Sequence, residues 1–234
     1  MFHPASPPSV VAFLLVCAVV VTAFLRGIWI SAKPEGSNPF RLTLVVSVGL
    51  LVWLATVACI VGSGWLEAGP GRLALLGGTM FAVSVVFALS PLGKGIALAC
   101  SIPWLVAFQG FRLPLELILH SWVHQGVIPQ TMTWNGANWD ILSGVAALAL
   151  APFSRSSSVA AWIANIIGII LLVNVGRVAV LSAPVPFGWQ DVTPKLLLPY
   201  HLPYALIIPV CVGGALAGHV ILTRALIRAH ARNS

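Results

Sequence analysis

Four titratable side chains follow one another at steps of four residues within FRLPLELILHSWVH, residues 111–124: Arg112, Glu116, His120 and His124. In an α-helix, residues four apart lie above one another, so the four are predicted to form one stripe along a helix face. Arginine can hold an anionic or carbonyl group, and a carboxylate can accept hydrogen bonds or protons. Histidines at this spacing can also share a metal ion with a carboxylate. The stripe therefore predicts a ligand-binding site, or a metal site formed by His120, His124 and Glu116.

Other polar residues are expected to join this stripe. Pro114 cannot donate a helical hydrogen bond, so it frees the carbonyl of Gly110 beside Gln109 and creates a polar notch. The loop that follows the stripe adds two further polar residues, and one arginine lies near the end of a later apolar run. The predicted ligand-binding residues are Arg112, Glu116, Asn138, Asp140, Gln109 and Arg177.

Each of these residues also has a purely structural interpretation. Arg112 and Glu116 could pair with each other and bind nothing. Asn138 could cap the next helix, with Asp140 in its first turn, where the helix dipole favours an anion. Arg177 could extend to the membrane surface. The residue types alone leave these alternatives open.

The composition of the chain indicates what kind of structure must position these side chains. The chain of 234 residues is 59% hydrophobic and 7% charged, with a mean hydropathy of +1.01. A soluble domain carries roughly a quarter charged residues. The composition therefore predicts one integral membrane domain over residues 1–234, with no soluble domain.

A helix needs about 20 consecutive apolar residues to cross a bilayer. The shortest candidate, 139–153, would be only about 22 Å long, and we expect its neighbours or local thinning of the bilayer to absorb the mismatch. The predicted fold is an all-α transmembrane bundle of seven spans: 9–31, 42–62, 73–92, 97–124, 139–153, 159–181 and 200–223.

The basic residues predict the orientation of this bundle. With seven spans, most of them fall on one side, which the positive-inside rule makes cytoplasmic: Arg26, Lys33, Arg41, Lys94, Arg155, Arg224, Arg228 and Arg232. The N-terminus is then outside and the C-terminus inside. In this orientation, His219 is expected near the cytoplasmic face, where it would help to anchor the last helix.

The sequence also limits the partners. The net charge of +7 is explained by topology, and no basic run is interleaved with aromatic residues, so the bilayer and not nucleic acid is the predicted partner. The four cysteines form no CxxC pair and are expected to be small core residues. Gly214 and Gly218 form a GxxxG motif, which makes a helix-mediated oligomer one option.

The segments FRLPLELILH and TWNGANWDILSG resemble a motif in a family of uncharacterised bacterial multi-pass membrane proteins, in which FRxPLE precedes TxxGxNxDIxxG. The resemblance covers residues 111–144 and implies a bacterial cytoplasmic membrane protein. It implies no activity, and His120 and His124 lie outside the pattern. The motif positions that it implies are Arg112, Glu116, Gly136, Asn138, Asp140 and Gly144.

Three functions remain open. The first is binding or transport of a small polar or amphipathic molecule at a site centred on the fourth span, in the outer half of the membrane. The second is an intramembrane enzyme that uses Glu116, Asp140 and His120, either with a bound metal ion or without one. The third is a structural subunit held together by an Arg112–Glu116 pair. The sequence names neither a cofactor nor a set of catalytic residues.

Overall fold

The computed structural model describes residues 2–32 and 38–233, and every regular element in these ranges is helical. The α-helices are α1 (Pro7–Ala32), α2 (Pro39–Gly62), α3 (Pro70–Leu89), α4 (Pro91–Ala99), α5 (Ile102–Phe108), α6 (Arg112–His124), α7 (Ile141–Leu150), α8 (Ser158–Ser182) and α9 (Gly213–Asn233). A 3₁₀ turn, Gln109–Phe111, joins α5 to α6, and a π-helix, Ile207–Val212, leads into α9.

Local sequence explains where the helices begin. Proline occupies the first position of α2, α3 and α4, where its missing N–H costs no helical hydrogen bond. The side chain of Asn38 caps α2 by accepting hydrogen bonds from the backbone N–H groups of Phe40 at 3.0 Å and Arg41 at 3.3 Å.

Six helical segments are long and apolar enough to cross a membrane: Pro7–Ala32, Pro39–Gly62, Gly71–Leu89, Ile102–His124, Ser158–Ser182 and Tyr204–Ala231. This confirms the predicted all-helical, multi-pass architecture at the level of the described residues. The predicted segment 139–153 contains only α7, whose ten residues extend about 15 Å. By itself α7 is half of the length needed to cross a hydrocarbon core of about 30 Å.

Two predicted spans are interrupted in the structure. The span expected at 97–124 begins only at Ile102, because Cys100 and Ser101 are extended and separate α4 from α5. The last span, expected at 200–223, starts with a short 3₁₀ turn and the π-helix and then continues as α9 to Asn233. The hydropathy pattern alone did not indicate these interruptions, because apolar residues continue through each of them.

Burial separates central helices from peripheral ones. In the most apolar window of each span, half of the residues of Ile102–His124 and 56% of those of Tyr204–Ala231 are buried, against 11% for α2 and 17% for α3. The segment that carries the titratable stripe is therefore central, whereas α2 and α3 expose their apolar side chains to the surroundings.

Glycines set the closest helix contacts at the centre. A Cβ added to Gly144 of α7 would meet the backbone nitrogen of Leu113, and one added to Gly110 would meet the side chain of Leu148, so α6 and α7 run antiparallel in close contact. Gly214 and Gly218 face Val20 of α1 and Phe108 of α5. The close approach allowed by their GxxxG motif is therefore made within the chain.

Candidate functional site

Arg112 forms a buried ion pair with Asp140. The side-chain Nε of Arg112 donates to Oδ2 of Asp140 at 2.7 Å, and Nη2 donates to Oδ1 of the same carboxylate. Both residues are at least 95% buried. This two-pronged geometry is the strongest form of an arginine–carboxylate contact, and it joins the start of α6 to the start of α7.

The remaining guanidinium nitrogen of Arg112 faces α8 and α9. Its Nη1 donates to the carbonyl of Gly168 at 3.0 Å and lies 3.1 Å from Nε2 of His219. Because arginine only donates, Nε2 of His219 must accept, and the ring proton must sit on Nδ1. Nδ1 then donates to Oδ1 of Asn165 at 2.9 Å.

The hydrogen bonds from Arg112 through His219 to Asn165 form a row of side chains, which continues to Thr223. Nδ2 of Asn165 donates to Oγ1 of Thr223 at 2.8 Å, and that hydroxyl donates to the carbonyl of His219 at 2.9 Å. Asn165 and His219 are at least 99% buried. The ion pair is therefore one end of a hydrogen-bonded row that crosses from α6 to α9.

Glu116 lies one helical turn beyond Arg112 and has a different partner. The side-chain Nδ2 of Asn138 is 3.1 Å and 3.2 Å from the two carboxylate oxygens of Glu116, and 3.0 Å from the carbonyl of Met132. An amide group has two hydrogens, and here three acceptors share them. Glu116, which is 99% buried, therefore keeps an unused capacity to accept hydrogen bonds.

Asn138 also connects Glu116 to the ion pair. Its Oδ1 accepts a hydrogen bond from the backbone N–H of Asp140 at 3.1 Å, and Ser143 donates to the carbonyl of Asp140 at 2.7 Å. The sequence suggested Asn138 as the cap of the following helix. The helix instead begins at Ile141, and Asn138 uses its amide to hold Glu116 and the turn before the helix.

The two motif glycines have steric roles. A Cβ at Gly136 would meet the backbone carbonyl of Gln130, so the loop can fold back on itself only with glycine there. Gly144 allows the contact between α6 and α7 that places Asp140 beside Arg112. All six positions implied by the family resemblance therefore contribute to one local arrangement. We call these six residues, together with His219 and Asn165, the polar cluster.

Two predicted ligand-binding residues lie away from the contacts among Arg112, Asp140, Asn138 and Glu116. Arg177 is exposed and donates to Oδ1 of Asn174 at 2.9 Å, near the end of α8. Gln109 is buried, and its Nε2 donates to the carbonyl of Ala215 at 3.1 Å, but its Oε1 has no hydrogen-bond partner. The structure therefore brings together four of the six predicted residues, leaves Gln109 facing α9 and places Arg177 at the surface.

The predicted Arg112–Glu116 ion pair is not formed. Among the described residues the salt bridge of Arg112 is to Asp140. The reason lies in the loop: residues 125–140 return to α6 and present a second carboxylate, which takes the arginine. Asp140 accepts two hydrogen bonds from Arg112 and one from Ser143, whereas the two oxygens of Glu116 share one amide of Asn138, so Glu116 has the greater spare acceptor capacity.

The two histidines of the stripe form a separate pair. Nε2 of His120 is 3.1 Å from Nε2 of His124, and the ring of His120 stacks on Trp134 with centroids 4.2 Å apart. Over residues 2–32 and 38–233, no group of three His, Cys, Asp or Glu side chains is arranged to hold a metal. The structure therefore does not gather His120, His124 and Glu116 into the three-ligand site that their spacing suggested.

His219 is the residue of this site that the sequence did not indicate. It was expected near the membrane surface, but it is buried against Gly168, where an added Cβ would meet its ring. The available signal was weak. Asn165 and His219 are isolated polar residues within apolar runs, and such residues usually face protein and have partners.

Comparisons of the chain with protein-family models, curated proteins and solved structures find no match.

Proposed function

We propose that this chain is a multi-pass protein of the bacterial cytoplasmic membrane that binds a small polar molecule, and carries it through the membrane, at Glu116 in the polar cluster. In this proposal the loop 125–140 and α7 together make the seventh crossing, so the N-terminus is outside and the C-terminus inside, in accordance with the distribution of basic residues. The bound molecule carries hydrogen-bond donors or a positive charge, because the free capacity at Glu116 is that of an acceptor.

The shared amide of Asn138 carries this proposal. At most two hydrogens serve the two oxygens of Glu116 and the carbonyl of Met132. Both oxygens of Glu116 depend on one shared amide group, so a further donor supplied by a ligand lowers the free energy of the buried carboxylate. Ionisable groups inside membrane segments commonly mark substrate or ion pathways.

The Arg112–Asp140 pair serves as the support for this site. It fixes the start of α7, and the backbone N–H of Asp140 orients the amide of Asn138 that faces Glu116. Arg112 is therefore a positioning residue, and Glu116 is the residue that contacts the ligand.

Interrupted helices near the cluster support a transport role. The central spans contain the 3₁₀ turn Gln109–Phe111, which directly precedes Arg112, and the π-helix Ile207–Val212, and the extended Cys100–Ser101 precedes the first of these spans. Discontinuous spans are typical of transporter binding sites, and π-helical turns are frequent at functional sites. These interruptions are places at which the central helices can change direction without breaking the rest of the bundle.

Replacing Glu116 with glutamine is expected to abolish retention of the bound molecule. Glutamine keeps the shape but exchanges one acceptor oxygen for a donor. The wild-type protein and the variant would be purified identically in mild detergent from the same cells, and small molecules released by denaturation would be quantified by mass spectrometry. We expect a species present in the wild type to fall at least about tenfold in the variant, which corresponds to about 1.4 kcal/mol of binding free energy.

Asp191→Asn is the matched control, because Asp191 is an exposed acid in the loop before the last span. It should retain the same species as the wild type. If Glu116→Gln retains every small molecule at wild-type abundance while its helical circular dichroism is unchanged, the proposal is wrong.

One observation favours a structural role as the second candidate. Four of the five N–H groups of Arg112 are occupied by protein acceptors, so the arginine has little capacity left for a ligand. In that case Glu116→Gln would lower only the unfolding temperature, and no small molecule would be found with the wild-type protein.

A further inference from the structure

A second polar site lies at the end of the bundle where α1 begins. It is a cleft of about 570 Å³ between the N-terminal segment, the end of α2 with the turn that follows, and the turn before the π-helix. This volume is within the range of small-molecule sites, roughly 300–1,000 Å³. The residues that line it are Phe2, Pro4, Val61, Gly62, Gly64, Glu67, Tyr200, His201, Leu202, Pro203 and Tyr204.

The cleft combines aromatic rings with one negative charge. Phe2, Tyr200, His201 and Tyr204 supply the rings, and Phe2 stacks on His201 with centroids 4.0 Å apart and meets Tyr204 edge-on at 5.2 Å. Among the described residues of the lining, Glu67 is the single carboxylate, and none is a lysine or an arginine. This is the reverse of the chain as a whole, whose net charge is +7.

Glu67 and Tyr200 are close enough to influence each other. Burial, and secondarily the carboxylate of Glu67, raise the pKa of the Tyr200 hydroxyl above its ordinary value. The Tyr200 hydroxyl is therefore neutral at pH 7 and adds no charge to the cleft. The lining therefore presents the Glu67 carboxylate beside a group of aromatic rings, in which Phe2 and His201 stack on each other and Tyr204 is buried behind them.

The walls of the cleft are held in place by contacts outside it. The backbone N–H of Ala5 donates to the hydroxyl of Tyr204 at 2.8 Å, and that of Ser6 donates to Oε1 of Gln125 at 2.6 Å. The ring of Tyr204 also packs on buried Trp122, with centroids 5.1 Å apart. The N-terminal segment that brings Phe2 to the cleft is thus fixed to the central helices.

From these observations we infer that the cleft binds the ammonium group of an organic cation, supplied either by a soluble amine or by a zwitterionic lipid headgroup. Aromatic faces attract cations through their quadrupoles, and groups of such rings are known to recognise quaternary ammonium ligands. Glu67 provides the opposite charge. This site is separate from Glu116, and its occupancy does not depend on the function proposed for the polar cluster.

Choline tests the inference with the purified full-length protein in a detergent that contains no choline. Calorimetric titration is expected to show saturable binding of choline. The neutral isostere, in which carbon replaces the ammonium nitrogen, should bind about twofold to fivefold more weakly, because a cation–π contact contributes about 0.5–1 kcal/mol at an exposed site. Equal binding of choline and its neutral isostere would overturn the inference.

Glu67→Gln separates the role of charge from that of shape. The variant should bind choline more weakly, by up to about fivefold, the range expected for one exposed charge pair. Asp191→Asn, which changes an exposed acid in the loop before the last span, should bind as the wild type does. Undiminished binding by Glu67→Gln, with an unfolding temperature equal to that of the wild type, would also overturn the inference.

Nanodiscs distinguish the two sources of the cation. If phosphatidylcholine discs abolish choline binding and phosphatidylglycerol discs do not, the ligand is a lipid headgroup. If choline binds in both, the ligand is a soluble amine. Either result supports the site, whereas absence of choline binding in detergent and in phosphatidylglycerol discs contradicts it.

Discussion

Asp140→Asn is expected to lower the free energy of unfolding by about 3–5 kcal/mol, because it leaves the guanidinium of Arg112 buried without its counter-charge. Asparagine fills the same space, so the loss reflects charge and not a cavity. Arg112 is 99% buried, so its guanidinium does not contact bulk water in the folded bundle. The measurement is denaturant unfolding in mixed micelles, followed by circular dichroism.

A double replacement provides the counterpart of this experiment. Arg112→Met together with Asp140→Leu removes both charges, and buried ion pairs replaced by apolar groups of similar size often lose little stability. The double variant should therefore recover part of the loss, although Gly168 and His219 forfeit a donor, which costs about 1–3 kcal/mol for each unsatisfied group. An Asp140→Asn protein as stable as Asp191→Asn would refute the assigned role of the pair.

The second large effect is expected at Gly144, where α7 crosses α6. In Gly144→Ala the new Cβ would meet the backbone nitrogen of Leu113, which cannot turn aside as a side chain could. Forcing extra atoms into a packed contact costs about 1–3 kcal/mol. Because Asp140 lies just before α7, the variant should also loosen the ion pair, which hydrogen exchange at the start of α7 would detect.

Gly176→Ala is the control for this substitution. Gly176 lies inside α8, and a Cβ added there meets nothing within 4 Å. Alanine is favoured over glycine in a helix by about 1 kcal/mol, so this variant should be as stable as the wild type or more so. If Gly144→Ala behaves like Gly176→Ala, the two helices do not depend on the glycine for their close contact.

The polar residues of the fourth span could be identified from sequence, but their partners could not. Arg112 and Glu116 stand out because a charge inside an apolar helix needs a partner. Helical spacing brings these two to the same face, and so favours pairing between them. The competing carboxylate of Asp140 is 28 residues away along the chain, and its approach depends on how the loop 125–140 folds around Gly136 and on the contact at Gly144.

The interruptions of the helices also depend on contacts that the sequence does not reveal. Apolar length predicted the positions of the long spans because the cost of burying unpaired backbone groups makes helices obligatory in a bilayer. Interruptions such as Cys100–Ser101 and the π-helix Ile207–Val212 depend on packing against neighbouring helices, to which hydropathy is insensitive. The burial of His219 was missed for a related reason: α9 continues to Asn233, beyond the end that the apolar run suggests, and it packs His219 against Gly168.

The row from Arg112 to Thr223 has a consequence for how this bundle accommodates a full positive charge. Every hydrogen bond in the row donates away from the guanidinium, first to His219, then to Asn165 and then to Thr223. The dipoles are therefore aligned, with an acceptor end directed at the arginine, and aligned hydrogen bonds strengthen one another in a medium of low dielectric constant. The row does for Arg112 what a hydration shell does in water, with side chains whose orientation is fixed when the protein folds.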